Sequence, residues 1–421
     1  MKKNILLVIF IFLISFHYEK AHSAVWKEER SWNQAFQADF SRWIHSKDVH
    51  THIFHNKNSP YYGLKPDCAD LIYALRVIYA YENKLPFLIR DPLSWKPSKY
   101  LSNNSRNSLW DRNEGSPQAV KAFLNYLFEY AGTESLANLD SYPISIKNIR
   151  PGDVFMWKVE KDGAFTRHSY VIKKINDYGY FDLLYSTQER KKSGRPLGLK
   201  TGAEISKNIQ LKNWGFKRVK FPRDYARNTS SLENYSLEQY TLARTYSGAH
   251  YTRELHRRLA NRIEPLNAKL LRQWNNVCSE VVDRIHVVSS AIKLQKKVGG
   301  RCFNEREYDE YSTPQRDERI KKTYLALMST WQSTHVNNHL SKISPETQSL
   351  IHSTLNSRIS RNEELILENK CPLKLFQDQK MNLSKFREAL FQGEISSHPN
   401  DNAYRRWGIH TGKKTTCKKY Y

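Results

Sequence analysis

The chain changes texture near residue 225, and that change limits what it can fold into more than any other feature. Between residues 59 and about 222, strand-like runs at 153–158, 169–175, 180–185 and 216–221 accompany one helix-like stretch at 69–81. Asn176-Asp177-Tyr178-Gly179 separates two of those runs and reads as a hairpin turn. After 225 the strand signals vanish. Leu255, Leu259, Ile263, Leu266, Leu270, Trp274, Val277, Val281, Ile285, Val288 and Ile292 recur at intervals of three and four. That spacing predicts one helix, or two divided at Pro265. Ile320, Tyr324, Leu327 and Trp331 give a further helical face, and Ser344-Pro345-Glu346 reads as the cap and first turn of another helix. The expected architecture is α+β over 59–225, then an all-α part over 226–421.

Residues 1–23 read as a secretory signal: Lys2 and Lys3, an apolar core over 5–16, then Ala21-His22-Ser23 before Ala24. The core is short for a bilayer span. The expectation is an exported protein, periplasmic or secreted, with no transmembrane segment once the signal is removed. Residues 24–58 form a polar N-terminal extension in which Trp26, Trp32 and Trp43 are spaced as if on helical faces. With 67 Lys and Arg against 42 Asp and Glu, the formal charge is +25. Such a surface concentrates near anionic polymers and releases them as salt rises. For an exported chain, envelope polymers are better partners than nucleic acid.

Export makes the five cysteines informative. Cys68 stands alone in the first half, while Cys278, Cys302, Cys371 and Cys417 lie in the second. Four paired and one free is the simplest arithmetic. Pairing sequence neighbours favours Cys278–Cys302 and Cys371–Cys417 among the three connectivities.

The odd cysteine has a chemical context. Pro66 and Asp67 disfavour helix before Cys68 and an apolar helical run follows it, so the thiol falls at a helix N-terminus. There the free amides and dipole favour thiolate, the reactive form. Downstream, Gly152-Asp153 reads as a turn into a buried strand, and Arg167-His168-Ser169-Tyr170 opens the next one. A cysteine at a helix start facing a strand histidine is the layout of nucleophilic thiol catalysis. The clusters His50, His52, His55 and His335, His339 lack the Glu of a zincin helix or a Cys-rich set, and no Gly-rich phosphate loop is present. No metal or cofactor is expected.

Tyr61, Tyr62, Gly63, Asp67, Cys68, Gly152, Asp153 and His168 together resemble the NlpC/P60 family of papain-like cysteine peptidases, in order and approximate spacing over residues 59–222. The resemblance implies a papain-like domain with the Cys helix on a small antiparallel sheet. It implies hydrolysis of amide bonds in peptidoglycan stem peptides, without a metal. Cys68 would be the nucleophile, His168 the base and acid, and Tyr62 or Tyr61 the oxyanion support. Ala69-Asp70 stands where the family has Ser-Gly, and its third polar residue has no counterpart. Asp182, Ser186, Thr187 and Gln188 are the substitutes. Asp182, 14 positions after His168, has a spacing closer to the transglutaminase-like branch, and a carboxylate there could orient the imidazole. Two other readings follow from these departures: a non-catalytic envelope-binding or structural protein on a degenerate domain, and a transglutaminase-like acyl transferase or protease.

Overall fold

The computed structural model describes residues 24–420, apart from 95, 97, 162–163, 187–195, 206–208, 210–212, 378 and 410–412. The signal segment 1–23, the substitutes Thr187 and Gln188, and the basic residues Arg190, Lys191 and Lys192 therefore lie outside the described residues. The architecture is mixed α and β.

Helix α1 (Gln34–His45) precedes α2 (Cys68–Glu82), the most buried helix of the first half. Asp67 caps α2 by accepting from the Ala69 and Asp70 amides, and Asp70 accepts from the Asp67 amide in return. A two-stranded ribbon, β1 (Leu88–Arg90) with β2 (Tyr100–Ser102), leads to α3 (Pro117–Tyr130) and α4 (Thr133–Asn138). The remaining strands of this half are β3 (Ser141–Pro143), β4 (Val154–Lys161), β5 (Ala164–Ile175), β6 (Phe181–Tyr185), β7 (Gly198–Ala203) and β8 (Gly215–Val219). They make one antiparallel sheet in the order β3-β8-β4-β5-β6-β7. The 69–81 helix and four strand runs appear where the pattern placed them. β7 is not among the expected strand runs, because it sits in a Gly- and Lys-containing segment whose strand character comes from pairing with β6.

Each face of the sheet closes a separate core. Val154, Met156, Val171 and Leu184 pack under α2 and α3. Trp26, Trp32, Phe40 and Ile44 join the same core, so residues 24–58 are built into the domain rather than appended to it. Phe155, Ile172, Phe181 and Phe216 face the other way, against α5 (Glu238–Thr245) and α6 (Gly248–Leu259). These first two helices beyond residue 225 thus share a core with the strands.

The 255–292 stripe is two helices: α6 ends at Leu259, and Pro265 caps α7 (Leu266–Lys297). Beyond the short α8 (Glu305–Tyr311), a second core gathers around α7, α9 (Pro314–Val336), α10 (Pro345–Leu355), α11 (Arg361–Lys370) and α12 (Leu383–Phe391). Ser344 caps α10 as its sequence implies. Among the described residues, no helix is long and apolar enough to cross a membrane.

The disulfides correct the sequence pairing: they are Cys278–Cys371 and Cys302–Cys417. From Cys278 to the end of α7 is about 28 Å of helix. The five residues that follow cannot carry Cys302 back to the 4.4–6.8 Å Cα spacing, roughly, that a disulfide needs. Cys68 is free.

Candidate functional site

Cys68 is the first residue of α2 and is partly exposed. Its Sγ lies 3.6 Å from Thr133 Oγ1 at the start of α4. Ser169 faces it from β5, close enough for hydroxyl and amide to favour the thiolate, although the Ser169 hydroxyl makes no hydrogen bond of standard geometry. Burial, followed by the Asp67 charge, nevertheless pushes the thiol pKa up. Asp67 spends its carboxylate on the helix amides, so the cap that builds α2 also places a negative charge beside the sulfur. Next to Thr133, Glu134 accepts from Lys158 Nζ at 2.8 Å and Arg167 Nε at 2.6 Å. The nearest carboxylate on that side is already engaged.

His168 does not meet the thiol. β4 and β5 pair Met156 with Ser169 and Trp157 with His168. Since side chains alternate, Ser169 and His168 occupy opposite faces. The imidazole packs among Trp157, Tyr170 and Tyr185, with ring centroids 6.0, 4.6 and 5.9 Å away. Burial holds it far below its ordinary pKa, at about 3, helped by the Lys200, Arg319 and Arg316 charges and opposed by Asp283. These groups form a charged seam between β7, α7 and α9. Glu280 accepts from Lys200 Nζ at 2.8 Å and Arg319 Nε at 2.6 Å, while Asp283 lies 3.4 Å from Arg316 Nε. On that face the imidazole is not placed to take the proton of Cys68 directly.

The other expected members are also apart. Asp182 pairs with Lys174 at the far end of β5 and accepts from the Gly202 amide at 2.8 Å; burial raises its pKa. Ser186 donates to the Pro66 carbonyl, bracing the segment before Cys68. The Tyr61 hydroxyl donates to Glu82 at the opposite end of α2, about 21 Å of helix from Cys68. Tyr62 is 43% exposed, and its carbonyl accepts from Lys121 Nζ. Asp153 forms a buried ion pair with Arg218. The chain therefore brings Cys68, Ser169 and Thr133 together, and not Cys68, His168 and Asp182.

A large concavity lies elsewhere, on the α6 side of the sheet. It has a volume of about 790 Å³ and is lined by Tyr178, Tyr180, Arg253, His256, Arg257 and Arg262, among others. The 176–179 turn forms one wall and α6 the other. His256 Nδ1 donates to the Gly179 carbonyl at 2.6 Å, and its ring lies against Tyr180 with centroids 4.5 Å apart. Arg272 covers the other side of Tyr180 at 3.5 Å and pairs with Glu264 and Glu204. Glu254 holds Arg257 at 2.7 Å, whereas Arg253 is exposed and has no ion-pair partner among the described residues. Sequence reading passed over this groove, since its walls are 70 residues apart in the chain and neither carries a recognisable motif.

Among the described residues, no three His, Cys, Asp or Glu side chains converge as a metal set. Comparison with family models, with curated proteins and with solved structures found no match to this chain.

Proposed function

We propose that the mature chain is an exported, non-catalytic binding protein for an anionic cell-envelope polymer, with peptidoglycan as the first candidate. Its scaffold is an NlpC/P60-like, papain-like domain in which thiol and imidazole occupy different faces of the sheet. The observation that carries the reading is the groove: a ligand-sized concavity with tyrosine walls and an arginine rim, on a chain of charge +25. Tyrosine faces suit sugar rings and peptide planes, and arginines suit carboxylates. The separation of Cys68 from His168 removes the reason to expect turnover.

Cosedimentation of the purified mature chain with insoluble peptidoglycan tests this. Binding should be lost progressively between low and about 0.5 M salt, and Arg253→Glu should weaken it several-fold at low salt. Salt-independent binding, or none, sinks the proposal.

Thiol hydrolysis of stem-peptide amides is the second reading. It is favoured by a partly exposed Cys68 opening a helix between two hydroxyl groups. It needs His168 on the opposite face, which a one-residue change of strand register would provide. Mass analysis of soluble products from peptidoglycan incubated with the wild type and with Cys68→Ala separates the two. Fragments from the wild type alone would replace the binding reading with hydrolysis, or with transfer to an added amine.

A further inference from the structure

A second, much smaller cavity lies where the Gly152-Asp153 turn meets α1 and β8. It has a volume of about 10 Å³, room for a single water-sized body. Its lining holds three arginines, Arg76, Arg150 and Arg218, against one acidic residue, Asp153.

Three of that carboxylate's four acceptor positions are occupied. Asp153 accepts from Arg218 Nε at 2.8 Å, from Arg218 Nη2 at 2.9 Å and from the Arg150 amide at 2.9 Å. Arg218 is only 3% exposed, and its Nη1 is buried with no hydrogen-bond partner. Arg76 is enclosed by aromatic rings, with Trp32, Phe40 and Phe221 centroids 4.8, 5.0 and 4.2 Å from its guanidinium carbon. Its Nη2 donates to the Lys220 carbonyl at 3.3 Å. Neither Arg76 nor Arg150 is ion-paired among the described residues. Asp224 spends one oxygen on the Phe221 amide, and Glu233 is exposed; both act from outside the lining.

A buried guanidinium nitrogen without an acceptor is costly, and like charges gathered in a low dielectric compound that cost. Water completes such a site poorly. It can accept from two donors, but its own two hydrogens then need acceptors, Asp153 has one position left on Oδ1, and a neutral water leaves the excess of positive charge uncompensated. A monatomic anion only accepts and brings the missing negative charge. Polyatomic anions such as sulfate exceed the space.

We propose that this three-arginine cavity is a structural binding site for one halide ion, chloride in the natural setting, which locks the Gly152-Asp153 turn against α1. The site is independent of the envelope-binding reading.

The test is thermal unfolding of the mature protein at constant ionic strength, with sodium chloride exchanged for sodium gluconate. Chloride and bromide should each raise the midpoint by at least about 2 °C with a saturable dependence at millimolar concentrations, while gluconate should give no saturable rise. Arg150→Met, which leaves the Arg218–Asp153 pair intact, should abolish the chloride increment. An equal rise in gluconate, or an undiminished increment in Arg150→Met, overturns the proposal. Should that variant fail to fold, a bromide-soaked wild-type crystal decides. An anomalous peak in the cavity supports the site, and a water there without anomalous signal overturns it.

Discussion

Trp157 and His168 are direct partners across the β4–β5 ladder, and that pairing turns the imidazole toward α7 and α9 while its neighbour Ser169 looks at Cys68. The consequence is chemical. The thiol has two hydroxyl neighbours and no imidazole, and the imidazole has a charged seam and no thiol.

Thiol reactivity should reflect this. With its pKa raised by burial and by Asp67, Cys68 in the folded protein should react with iodoacetamide at pH 7.5 at least about tenfold more slowly than in denaturant. His168→Ala should leave the folded-state rate within about twofold. A Cys–His ion pair would instead give fast labelling that His168→Ala abolishes.

The acid limb of stability should carry the signature of His168. Its folded pKa, about 3, lies below the ordinary 6.5. As pH falls through 6.5 the unfolded chain takes up a proton that the folded chain refuses until near pH 3. Over that window the unfolded state binds more protons, so stability falls as pH falls. His168→Gln should flatten the urea midpoint against pH between about 6.5 and 3 relative to the wild type. Identical slopes would mean that the seam hydrates and the imidazole titrates freely.

Disulfide mapping should recover Cys278–Cys371 and Cys302–Cys417 peptides, with Cys68 the sole native thiol. The two bridges interleave, spanning 93 and 115 residues. In the chain-entropy account each is worth about 4–5 kcal/mol. Replacing either pair by alanine should lower the melting of the helical part by several degrees. A Cys278–Cys302 peptide would contradict an unbroken α7.

Gly179 sits at φ +80, and an added Cβ would meet the His256 carbonyl oxygen on α6. Gly179→Ala should cost about 1–3 kcal/mol in urea unfolding. Because the same residue's carbonyl anchors His256, it should also weaken groove binding. Unchanged stability would show that the turn relaxes without loss.

Much of the fold was legible in local pattern. The apolar run after Asp67-Cys68, the 176–179 turn, the break at Pro265 and the Ser344 cap each follow from backbone chemistry acting within a few residues. The disulfide pairing was not legible: the apolar stripe ends at Ile292, which leaves ten residues to bring Cys302 back, and only the continuation of α7 to Lys297 excludes Cys278–Cys302.

The candidate site was not legible, for a definite reason. Sequence brings a cysteine to a helix start and a histidine to a strand, but the face that the histidine takes depends on ladder register, and one residue reverses it. Register is fixed by burying Met156 and Val171 under α2 while Phe155 and Ile172 pack toward α5 and α6, a global balance invisible to spacing. The groove and the three-arginine cavity likewise join residues distant in the chain. Sequence alone determined most of the helices and four of the strands, the odd cysteine and the charge, but not β7. Tertiary structure decided which side chains meet, because contacts across a sheet depend on pairing and packing that no local pattern encodes.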